Sequence, residues 1–145
     1  MEVQKKFIKD LLIHQRYNNK VAIEDGKSKL TYSNWHQHCE NISIQLMEES
    51  RYQKGRNMGI FLPNSIDYAI AYFSIAYMNR TIVPIEVTLS EKQLTSIVDY
   101  CEICTILTTS TYMDLLKQRL IKFDFGIEIY CIDTKEIYFN KKRNR

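Results

Sequence analysis

Between Met58 and Leu107 the chain alternates short, β-rich apolar runs with segments of helical periodicity, and this alternation limits the possible folds more than any other feature. Met58-Gly-Ile-Phe-Leu62 has the pattern of a buried strand and stops at Pro63, whose fixed φ and missing N–H cannot continue a ladder. Asn64 or Ser65 can cap the helix that follows, and residues 66–78 are apolar nearly all round, as in a helix covered on most sides. Thr81-Ile-Val-Pro-Ile85 is short and β-branched, and Pro84 confines it to a strand end or a sheet margin. Ser90-Glu-Lys-Gln93 carries the S-x-x-Q pattern of a capping box, followed by Leu94, Ile97, Val98 and Cys101 at i, i+3, i+4 and i+7. Residues 105–108 read as a strand, 112–121 as an amphipathic helix and 127–132 as another strand. Alternation of this kind predicts an α/β fold, a doubly wound and largely parallel sheet with helices on both faces.

Upstream, residues 3–17 place Phe7, Ile8, Leu11 and Leu12 on one helical stripe, which predicts an outer helix. Residues 21–32 predict a β-hairpin, since Asp25-Gly26 supplies residues tolerant of positive φ between two apolar runs. A helix follows with Trp35, Cys39, Ile42 and Leu46 at i, i+4, i+7 and i+11 and Ser33 as its cap, and Gly55 ends the connection into the first core strand. One domain over residues 1–140 is expected, with 141–145 a basic, disordered tail.

Composition fits one globular unit: 145 residues, 45% hydrophobic and 26% charged, enough to bury roughly 70% of the unfolded surface. No apolar run approaches the ~18 residues of a membrane span, and Met1-Glu-Val-Gln-Lys-Lys lacks a signal-peptide core, so a cytoplasmic location is expected. Of the net charge of +3, Lys141, Lys142, Arg143 and Arg145 contribute four; removing them leaves −1 on residues 1–140. Nucleic acid and membrane surfaces call for basic residues spread over a face, so neither is an expected partner.

Cys101-Glu-Ile-Cys104 is the one C-x-x-C among four cysteines, with no second pair or histidines at zinc spacing, and is read as two small buried side chains at a helix end. His36 and His38, two apart on a helix, face different ways and are read as solvated. Asp99 with Glu102, and Glu48 with Glu49, have no partner whose spacing implies acid–base work, and Ser65 at a helix start is explained by capping. With four glycines in all and no phosphate loop, no catalytic, cofactor-binding or metal-ligating residue is assigned.

Leu30-Thr-Tyr32 after a hairpin, Leu62-Pro-Asn-Ser65 opening an apolar helix, and Val83-Pro-Ile85 before a capped helix resemble the N-terminal region of the AMP-forming adenylating enzymes, over residues 5–132. That superfamily includes acyl-CoA ligases, peptide-synthetase adenylation domains, D-alanine-activating ligases and luciferases. The resemblance implies ATP and Mg²⁺ for an intact enzyme, which joins an acid to AMP with release of pyrophosphate and then transfers the acyl group to a thiol. The family's Ser/Thr/Gly-rich phosphate loop, its Tyr-Gly-x-Thr-Glu-like segment, its ribose-binding Asp and its C-terminal domain with the catalytic Lys have no match in this sequence. The chain alone is therefore expected to bind no cofactor and to be inactive, the N-terminal piece of a truncated or split ligase.

The family also places a Gly where Asn79-Arg80-Thr81 stands here, and Asn79 is expected to take the left-handed conformation in its place. Two alternatives stay open: a non-catalytic interaction module that docks a complementary ligase fragment or itself through bare apolar surface, and a stand-alone flavodoxin-like binding domain.

Overall fold

The computed structural model describes residues 7–51 and 57–140. A helix α1 (Ile8–Ile13) leads into an antiparallel hairpin, β1 (Val21–Glu24) and β2 (Lys29–Thr31), and then into the long helix α2 (Tyr32–Glu49). The remainder alternates: β3 (Asn57–Phe61), α3 (Ile66–Tyr77), β4 (Thr81–Ile85), α4 (Glu91–Tyr100), β5 (Thr105–Thr108), α5 (Ser110–Arg119), β6 (Glu128–Cys131) and β7 (Ile137–Phe139). The five core strands lie in the order β4-β3-β5-β6-β7; the first four are parallel and β7 runs antiparallel to β6. The expected α/β architecture is therefore present.

Strand alternation divides the core in two. Met58 and Ile60 of β3, Leu107 and Tyr130 face α2 and α3, packing with Cys39, Ile42, Leu46, Ile70 and Ile75. Phe61, Ile106 and Ile129 point the other way, against Leu94 and Val98 of α4 and Leu116 of α5. Gly59 belongs to this second face, and a Cβ there would stand 2.7 Å from Ile85 Cδ1 and 3.3 Å from Ile106 Cγ1. The residue is glycine because two isoleucines already fill the space above it.

The local signals act as their chemistry requires. Ser90 Oγ accepts from Gln93 N while Gln93 Oε1 accepts from Ser90 N, closing the capping box. Ser65 Oγ accepts from Tyr68 N at 3.1 Å and caps α3. Asn79 has φ 55°, and Arg80 N returns to Ile75 O at 3.3 Å, so α3 ends in the left-handed turn that glycine usually makes. In the hairpin, Gly26 has φ 83° and Asp25 Oδ1 accepts from Lys27 N and Ser28 N.

Three expectations need correction, and one strand was not foreseen. The first helix is six residues long, and of its stripe only Leu12 is buried; Phe7, Ile8 and Leu11 are exposed. The cap of α2 is Thr31, whose Oγ1 accepts from Asn34 N at 3.1 Å, rather than Ser33, because the helix starts one residue after the strand. Strand β7 had no sequence signal: it has three residues, and Lys135 at φ 62° makes its turn where Gly or Asn would have announced one. Cys101 and Cys104 are half-buried rather than core residues, since Cys101 caps the end of α4. Gly55, residues 3–6 and the basic tail lie outside the described residues.

Candidate functional site

In an open parallel sheet the carboxyl ends of the strands form the natural binding edge, above all where the winding reverses. Here that edge gathers the ends of β3, β4, β5 and β6, with β3 beside β5 although β4 intervenes in the chain. Buried Thr108 Oγ1 donates to Phe61 O at 2.7 Å and ties the ends of β5 and β3 together.

Asp133, just beyond β6, reaches back to the start of α5. Its carboxylate accepts from Ser110 N at 2.9 Å, from Ser110 Oγ and from Cys131 Sγ. Burial alone pushes this carboxyl up, but the Cys131 and Ser110 hydrogen bonds outweigh it and hold it at about 2. Thr109, the residue in the cap position of α5, makes no side-chain cap bond, so Asp133 does that work from 24 residues away. Asp67 in the first turn of α3 is shifted up by burial and by the neighbouring carboxylates Asp133 and Asp25, against a smaller opposing pull from His38.

The strand-end edge carries Asp67 and Asp133, and one N–H at each of its helix N-termini is capped: Tyr68 N by Ser65, Gln93 N by Ser90 and Ser110 N by Asp133. Among the described residues, no three of His, Cys, Asp and Glu come together as a possible metal-ligand set.

A cleft of about 420 Å³ opens at the ends of β3 and β4, lined by Leu62, Pro63, Asn64 and Tyr68 on one side and by residues 84–88 on the other. Arg119 at the end of α5 fixes its second wall, since Nη1 donates to Val87 O at 2.9 Å and also to Leu89 O. A larger groove, about 610 Å³, runs along α4 beside Phe123 and Phe125. It carries charges of both signs, Glu91, Lys92, Asp99, Lys122 and Asp124, and lies on the helix layer, so the strand-end cleft is the better candidate on position and chemistry.

His36 departs from its solvated reading: Nδ1 lies 2.8 Å from Tyr77 OH and Nε2 lies 3.0 Å from Glu40, with 13% of the side chain exposed. His38 is exposed, and Cys39 is buried with its thiol pushed up to about 12 by burial, so the three do not converge. Asp99, Glu102, Glu48 and Glu49 are on the surface as expected, and Ser65 only caps. Sequence reading missed Asp133, Arg119 and Glu128. Buried Glu128 accepts from Ser50 Oγ at 2.7 Å, Arg51 N at 2.9 Å and Thr105 Oγ1 at 3.1 Å, joining the end of α2 to the sheet. Apart from Cys131 beside Asp133, the partners of all three lie more than 20 residues away, which local spacing does not reveal.

Comparison with known proteins places these observations. The family profile described as AMP-binding enzyme matches residues 13–143. Cyclosporin synthetase simA from Tolypocladium inflatum is 29% identical over 83 residues, 57% of this chain and, to the nearest percent, 0% of that synthetase. The luciferase-like enzyme of the nonluminescent Zophobas morio mealworm superposes with a TM-score of 0.76 and 18% identity, covering 88% of this chain and 31% of that one. VinN, solved with 3-methylaspartate, gives a TM-score of 0.74 and 20% identity over 89% of this chain and 35% of its own. The nonribosomal peptide synthetase FmoA3, solved with alpha-methyl-L-serine-AMP, gives 0.79 and 19% over 93% and 15%. At these identities the likeness is one of fold, and the chain spans about a third or less of each solved relative.

Proposed function

Because this chain belongs to the family of AMP-binding enzymes, we propose that it is the N-terminal portion of an ATP-dependent, AMP-forming acid ligase and is inactive alone. The intact reaction joins a carboxylic or amino acid to AMP, releases pyrophosphate and passes the acyl group to a thiol, in the cytoplasm.

The observation that carries this reading is the family match across residues 13–143, set against solved relatives of which the chain spans 35% or less. The carboxylates at the strand-end edge support it. Transfer at a phosphate needs positioned donors and cations around the developing charge, and the Asp67 and Asp133 carboxylates on this edge oppose that charge. Their part is structural: Thr108, Asp133 and Glu128 hold the strand ends and helices on which a catalytic remainder is built. Mg²⁺ and the ATP phosphates belong to that remainder.

The test is ATP–pyrophosphate exchange by the 145-residue chain with fatty, aryl and amino acids. No exchange is expected with any of them, and exchange above background with one would end the proposal.

A second reading, a non-catalytic module that docks a complementary ligase fragment, rests on a separate observation. Phe7, Leu11, Met47 and Ile121 are large apolar side chains left 54%, 69%, 61% and 66% exposed.

A further inference from the structure

We propose that the cleft at the carboxyl ends of β3 and β4 binds a primary amine carried on an apolar body, with the Glu86 carboxylate as its counter-ion. The inference goes beyond the ligase reading and does not depend on it. The cleft measures about 420 Å³, within the range of small-molecule sites. Its floor is apolar, with Leu62 at 4% and Ile85 at 2% exposure, and Pro63, Pro84 and Val87 wall it. Two proline rings in the wall have no N–H, so over that area the surface suits a hydrocarbon or aromatic body.

Glu86 is the one charged residue of the lining. Its carboxylate, the Asn64 amide and the Thr88 hydroxyl have no hydrogen-bond partner among the described residues, which leaves an acceptor for an ammonium group and two further polar contacts. Tyr68 adds an aromatic face, a second attraction for a cation. The Arg119 bonds to Val87 O and Leu89 O hold the second wall in place before any ligand arrives, so little ordering is needed on binding.

The test compares 4-phenylbutylamine, 4-phenylbutan-1-ol and 4-phenylbutyrate on the 145-residue chain at neutral pH by saturation-transfer difference NMR, which needs only micromolar protein. The amine is expected to bind saturably and about five- to tenfold more tightly than the alcohol, with the carboxylate weakest. Glu86→Gln, at an exposed position that leaves the fold intact, is expected to bring the amine to the level of the alcohol. The control Glu48→Gln on α2 is expected to leave the preference unchanged. An amine that binds no better than the alcohol, or a preference that survives Glu86→Gln, overturns the proposal. Because binding is read rather than exchange, failure here leaves the ligase reading untouched, and the reverse holds as well.

Discussion

At the scale of single residues, two positions show how little freedom the sheet leaves. Gly59 pairs with Val83 on one side and Ile106 on the other while Ile85 Cδ1 covers its face. Gly59→Ala forces that methyl aside in a packed core, and we expect a loss of about 1–3 kcal/mol, read as a lower urea midpoint at unchanged slope. Asp133 gives a pH signature. Its carboxyl is held at about 2 in the folded chain against an ordinary value of 3.8, so its contribution is fully present above the ordinary value. The contribution fades as pH falls from about 4 to about 2, where the folded carboxylate takes its proton. Asp133→Asn should therefore lie below the native protein in stability at neutral pH and converge with it below about pH 2. Solvent exposure of this side chain keeps the neutral-pH difference to about 0.5–1 kcal/mol. Urea denaturation at a series of pH values checks it, and a gap that widens on acidification would contradict the capping role. The same scale shows where sequence reading works: Asn79 was legible because one residue type in a helix-ending position implies one backbone conformation.

Elements follow from residues when the determinants are adjacent in the chain. The capping box of α4 was readable because Ser90 and Gln93 are three apart and satisfy each other. Ser90→Ala removes the acceptor for Gln93 N, and a loss of about 1 kcal/mol is expected in thermal or urea unfolding. A loss within experimental error would show that tertiary packing of Leu94 and Val98, both fully buried, sets this helix boundary instead. α5 is the contrasting case. It begins two residues earlier than its apolar pattern suggested, at Ser110, because its N-terminal N–H is satisfied by Asp133 rather than by a neighbour in sequence. Strand β7 likewise exists because β6 offers it a partner: Ile129 pairs with Tyr138 and Tyr130 with Ile137. Three residues between polar turns carry no period that could have identified them.

For the whole molecule, two hydrophobic clusters sandwich one sheet, yet Phe7, Ile8, Leu11, Ile44, Met47 and Ile121 stay at least half exposed. Large side chains left bare in that number favour association. The purified chain is expected to self-associate, visible as a weight-average mass that rises with concentration in sedimentation equilibrium. A clean monomer over the whole range would count against apolar docking as its mode of action. The absence of exchange activity expected above belongs to this scale too, because the chain spans 35% or less of each solved relative.

Order and type of the elements were set by the sequence by itself, since hydrophobic period, proline, and capping residues act within one or two turns of the chain. It also carried the family likeness, through short motifs at matching intervals. Tertiary structure alone decided the strand order, β7, the tie of Glu128 to Ser50 and Arg51, the Asp133 cap and the strand-end cleft with Glu86 in its lining. Each of these joins groups far apart in the chain, and such contacts exist only once burial of the two apolar faces has brought the segments together.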